Sequence, residues 1–79
     1  MIRLNILNME GFFRVANECA GAVNLLQPDG RKENINKQFG IQNELLQRYR
    51  ENKNFLGLAL DIPVSKDYMN IVFYSIGDC

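Results

Sequence analysis

The sequence predicts an α+β open-faced sandwich, an antiparallel four-stranded sheet with helices gathered on one face. Three observations carry the prediction. The chain opens on strict alternation, with Ile2, Leu4 and Ile6 separated by Arg3 and Asn5, the pattern of a half-buried strand. Two later stretches, around Phe12–Cys19 and Ile41–Tyr49, repeat apolar residues at helical spacing. Between them, Gln27-Pro28-Asp29-Gly30-Arg31 joins two short runs through a strong turn signal. Strands and helices thus mix without a regular βαβ repeat, which favours an antiparallel sheet with helices on one side.

Taken in order, Ile2–Ile6 is the first strand. Asn8 offers an N-cap and Glu10 lies in the first turn of a helix over residues 9–20, where a carboxylate favours the helix dipole. Phe12, Val15, Ala16 and Cys19 form its apolar stripe, Gly11 weakens it slightly, and Gly21 is a natural stop. Residues 22–26 read as the second strand. The return strand, 31–36, is polar except for Ile35, which suits a sheet edge where charge discourages stray pairing. Residues 38–52 read as a second helix with a stripe of Ile41, Leu45, Leu46 and Tyr49. Gln42, Glu44, Gln47, Arg48, Arg50 and Glu51 fall largely outside that stripe. Ser65–Asp67 reads as a turn, and the continuously apolar Ile71–Tyr74 reads as a central strand covered on both faces.

Phe55–Pro63 admits two readings. It is either the start of a short docking helix or a core strand that forms a hairpin with Tyr68–Ile76. Gly57 in mid-run and Pro63 at its end are tolerable in both.

Composition bounds the function. The chain has 79 residues, one domain at most, and a chain of this size buries roughly 60–65% of its unfolded surface, so association often supplements its stability. With 47% apolar residues it is expected to fold. The nine basic and nine acidic residues cancel, which leaves no global field to attract nucleic acid. Arg31, Lys32, Lys37, Arg48, Arg50 and Lys53 are interleaved with Glu33, Glu44 and Glu51, the pattern of a solvated face rather than a continuous positive track. No signal peptide or bilayer-spanning run is read, so the expected setting is the cytoplasm with no membrane partner.

Catalysis is not expected. There is no histidine, which excludes Ser-His-Asp and Cys-His arrangements and removes the commonest acid–base group. The carboxylates are scattered, with no spacing that suggests a hydrolytic pair. Gly30 lacks the continuation of a P-loop. Cys19 and Cys79 form no metal-binding pair and read as free thiols, with Cys79 expected to be exposed. No cofactor and no metal is expected.

One resemblance adds to this reading. Lys53-Asn54-Phe55-Leu56-Gly57-Leu58 resembles the K-S-[IM]-M-G-V segment of the histidine-containing phosphocarrier protein (HPr) family. Val23-Asn24-Leu25 followed by Asp29-Gly30-Arg31-Lys32 is similar to that family's V-N-L and N-G-K hairpin. The resemblance covers about half of the chain in scattered pieces. It implies a single HPr-like domain over residues 1–79 and a short partner-binding helix between the third and fourth strands, with Phe55, Leu56 and Ala59 as partner-binding residues. The departures are chemical. The phosphoryl-accepting G-[IL]-H-A-R-P loop has no counterpart, Asn54 replaces the regulatory serine, residues 38–52 look like an insertion, and the family's final helix is missing.

The function expected from these readings is a non-catalytic, HPr-like protein-binding or regulatory module without phosphocarrier activity. Its partner is a protein and it is expected to form a two-fold homodimer. The alternatives are a small nucleic-acid-binding protein and a phosphotransferase-system carrier acting through another site.

Overall fold

The computed structural model describes residues 2–77. They form β1 (Ile2–Ile6), α1 (Met9–Glu18), β2 (Asn24–Leu26), β3 (Lys32–Asn34), α2 (Phe39–Glu51), β4 (Leu56–Asp61) and α3 (Ser65–Gly77). The four strands make one antiparallel sheet in the order β1-β4-β2-β3. The α+β open-faced sandwich is therefore as expected.

The register explains the layering. Ile2, Leu4 and Ile6 lie opposite Leu60, Leu58 and Leu56, and Leu25 lies opposite both Leu60 and Glu33. Directly opposed residues share a face, so one face is a leucine and isoleucine surface. It joins Met9, Phe12, Phe13, Ala16, Leu45 and Ile71 in a single core. The other face carries Arg3, Asn5, Gly57, Ala59, Asp61 and Lys32, and is open. There Lys32 of the edge strand reaches Asp61 of β4 at 2.7 Å, and its hydrogen bond holds the Asp61 carboxyl below the ordinary carboxylate value.

Several local readings hold. The Asn8 side chain accepts from the Gly11 N–H and caps α1. Gly30 N–H donates to Gln27 C=O and Gly30 has φ +91°, so the Pro28-Asp29 turn closes on the residue best suited to that dihedral. The polar β3 is an edge strand, and Ile35 behind it is fully buried.

Other readings are corrected. Ile71–Tyr74 is not a central strand but part of α3, and Ser65–Asp67 is its first turn rather than a loop. An apolar run of this length cannot be told from a buried helix by pattern alone, and the inward residues Asp67, Tyr68, Ile71 and Tyr74 follow a helical period. Phe55 is the irregular residue between the turn that ends α2 and β4, and from Leu56 the segment is strand β4; it opens no docking helix. Nor does β4 pair with Tyr68–Ile76, because its partners are β1 and β2. Lys53 and Asn54 both have φ 59°, and Asn54 N–H donates to Tyr49 C=O at 2.9 Å. This left-handed exit ends α2 and prevents a new helix from starting at Phe55. The helix over residues 38–52 is the connection from β3 to β4, and a further helix, α3, follows β4 where a strand was expected. Gln42, assigned to the solvated side, is buried. Cys79 lies outside the described residues.

Candidate functional site

The sheet is split between β4 and the β2–β3 hairpin. β4 pairs with β1 over five residues, Leu56 to Leu60, but with β2 only through Asn24↔Asp61 and Leu25↔Leu60. Below that point the β2–β3 hairpin leaves β4. Hydrogen bonds outside the strands fix which groups face the gap. Ile35 N–H donates to Val23 C=O and Gln27 N–H to Arg31 C=O, so the main chain of residues 23, 25 and 27 faces β3. By the alternation of an antiparallel ladder, Asn24 and Leu26 face β4, and Asp61, Ala59 and Gly57 face β2.

Continuing the register would set Pro28 opposite Gly57. Proline has no N–H to give, and Pro28 belongs to the hairpin turn. No strand therefore pairs with Gly57 on this side, and its N–H and C=O point into the split.

The resulting cleft has a volume of about 750 Å³. Leu26, Gln27, Pro28 and Gly30 form its hairpin wall, and Leu56, Gly57, Leu58 and Ala59 form the β4 wall. Arg3, Leu4 and Asn5 extend that wall along β1, and Leu25, Leu45 and Arg48 form its deeper part. No carboxylate lines it, while Arg3 and Arg48 do. Neither arginine belongs to an ion pair among the described residues, in contrast to Arg31 with Asp29 and Lys32 with Asp61. The cleft thus combines leucine walls, an unpaired strand edge and two arginines that have no ion pair among the described residues. No Cβ is present at Gly57, and one built there would meet only Asn5 Oδ1 at 3.5 Å and Leu4 C=O at 4.0 Å.

The three residues expected to bind a partner are divided by the strand. Leu56 and Ala59 both line the cleft, but they belong to opposite faces of β4, Leu56 toward the core and Ala59 toward the open side. Phe55 does not line it; it precedes β4, is 40% exposed, and its carbonyl accepts from Asn52 Nδ2 at 2.9 Å. Sequence reasoning missed Arg3, Leu26, Arg48 and the exposed main chain of Gly57. The available signal was a glycine inside an apolar strand run, which often marks a close backbone approach.

Among the described residues no group of three or more Cys, Asp or Glu side chains comes together as a metal-binding cluster. Cys19 is buried, and burial together with the charges of Asp67 and Glu18 pushes its thiol up to about 11. No helix among the described residues is long and apolar enough to cross a membrane. Comparison with protein-family models, curated proteins and solved structures gives no match to the chain.

Proposed function

We propose that this protein is a non-catalytic protein-binding or regulatory module of the cytoplasm, on an HPr-like scaffold without phosphocarrier activity. It holds an extended segment of a partner protein in the split between β4 and the β2–β3 hairpin. One observation carries the reading: Gly57 offers an unpaired main-chain N–H and C=O inside a leucine-lined cleft. An extended segment satisfies such an edge by strand addition, and alternate side chains enter the pockets beside it. Arg3 and Arg48, with no acid in the lining, favour a segment that brings carboxylates.

Two features support the HPr-like part of the reading. A helix follows the last strand, where the sequence pattern reads as a strand, and α2 occupies the connection between β3 and β4 in which that family carries its partner-binding helix. The absence of histidine, and so of an imidazole to carry phosphate, argues against carrier activity. The module is further proposed to act as a two-fold pair.

A displayed library of random eight-residue peptides tests the binding function. Enriched peptides are expected to alternate apolar and acidic residues and to lose affinity at least tenfold against Arg48→Glu or Ala59→Glu. Failure to enrich any peptide, or binding indifferent to both substitutions, would overturn the assignment. Incubation with phosphoenolpyruvate and the general phosphotransferase enzyme should leave the protein's mass unchanged.

A further inference from the structure

The outward face of α3 is apolar where a lone helix should be polar. Met69 is 46%, Phe73 64% and Ile76 78% exposed. With Lys66 they are spaced three, four and three residues apart, the a/d spacing of a coiled-coil seam. The opposite side of α3, including Asp67, Tyr68, Ile71 and Tyr74, already faces the protein, with Tyr74 6.5 Å from Phe12 between ring centres and its hydroxyl donating to Asn8 C=O. From Tyr68 to Gly77 the helix has no charged residue. A solvated helix face normally carries its charge there.

We infer that α3 is the self-association surface of the protein, and that its occupant is the α3 of a second copy in antiparallel orientation about a two-fold axis. The single cation of the seam selects the orientation. A parallel pair would bring the two Lys66 ammonium groups together at one end. An antiparallel pair sets Phe73 near the axis and Met69 beside Ile76 of the other copy. It also carries each Lys66 toward the carbonyl end of the facing helix, where the dipole favours a cation. The surface is self-complementary, as a two-fold interface must be.

Magnitude sets the strength. A stable standard interface buries about 800 Å² on each partner, and a helix of 13 residues, about 20 Å long, supplies less than that through one stripe. The pair therefore exchanges with monomer as concentration changes. The surface is separate from the split in the sheet, so either assignment can fail without the other.

Sedimentation equilibrium from 10 μM to 1 mM, with reductant present to exclude a disulfide, is the test. The average mass should rise from 9.1 kDa toward twice that value. Phe73→Glu should weaken association at least tenfold, as should Ile76→Glu; both sites are exposed, and circular dichroism verifies that each variant folds. Lys66→Glu should also weaken it, whereas Arg48→Glu should leave it unchanged. A constant monomer mass to 1 mM, or association that survives both Phe73→Glu and Ile76→Glu in folded protein, would overturn the inference. Stronger association on Lys66→Gln, as relief of repulsion between two ammonium groups in a parallel pair would give, would overturn the antiparallel orientation.

Discussion

The Asp67 carboxylate accepts a hydrogen bond from the Gly21 main-chain N–H at 2.8 Å, joining the first turn of α3 to the loop that leaves α1. Its other oxygen accepts from Ala20 N–H at 3.1 Å, and the side chain is 2% exposed. The contact spans 46 residues and stands where α1 ends without a glycine cap, with Cys19 already extended. It clamps α3 against the sheet-facing side of the molecule.

Asp67→Ala should therefore be costly. It removes the charged acceptor of two part-buried hydrogen bonds, from exposed Ala20 and half-buried Gly21, and a hydrogen bond to a charged group typically contributes about 1.5–3 kcal/mol. Urea unfolding should show a destabilisation of about 3 kcal/mol, with a smaller loss for Asp67→Asn, which keeps one acceptor. A change below about 0.5 kcal/mol for Asp67→Ala, within the range of ordinary surface substitutions, would show that α3 is held by its apolar side alone.

Gln42 is a second buried polar link. Its Nε2 donates to Ile35 C=O at 2.7 Å and to Asn17 Oδ1 at 2.6 Å, tying α2 to the strand exit and to α1. Gln42→Leu preserves the approximate volume but leaves the Ile35 carbonyl without this partner. A destabilisation of about 1–3 kcal/mol is expected, read from the denaturation midpoint at unchanged slope. Equal or greater stability would mean that apolar packing alone suffices at this position.

These two residues also show where the sequence was legible. The alternation of Ile2–Ile6, the Asn8 cap and the Pro28–Gly30 turn are local signals, and each produced the expected local structure. Asp67 and Gln42 look like ordinary surface residues, because their partners lie 46 and 7 or 25 positions away. The run Ile71–Tyr74 failed for a different reason. Four successive apolar residues fit a doubly covered strand, but Ile71 faces the core and Phe73 faces solvent, an asymmetry that only tertiary packing defines. The candidate site was half legible: Leu56 and Ala59 were singled out, yet a cleft between two strands depends on register, which no single segment encodes.

Cys19 gives a pH prediction. Its thiol is pushed from an ordinary 9.0 up to about 11, first by burial and then by Asp67 and Glu18. The folded state therefore holds the proton more tightly than the unfolded state does. This contribution to stability is complete below pH 9 and is lost as pH rises from 9 toward 11. In a Cys79→Ser background, a thiol-disulfide reagent at pH 8 should react with Cys19 only through opening of the fold, at a rate that rises with urea. Immediate stoichiometric reaction in the absence of denaturant would contradict this environment. Replacing the thiol by serine should flatten the decline of melting temperature between pH 9 and 11.

The Gly57 amide tests the central claim most directly, because strand addition must use it. In an ¹⁵N–¹H spectrum the best peptide from the displayed library should shift the Gly57 resonance among the most strongly. Its exchange with solvent should slow at least tenfold on binding, as the free N–H gains a carbonyl partner, and Leu26 and Ala59 should shift with it. Saturating peptide that leaves Gly57 unshifted and exchanging at its free rate, while another surface responds, would contradict the account.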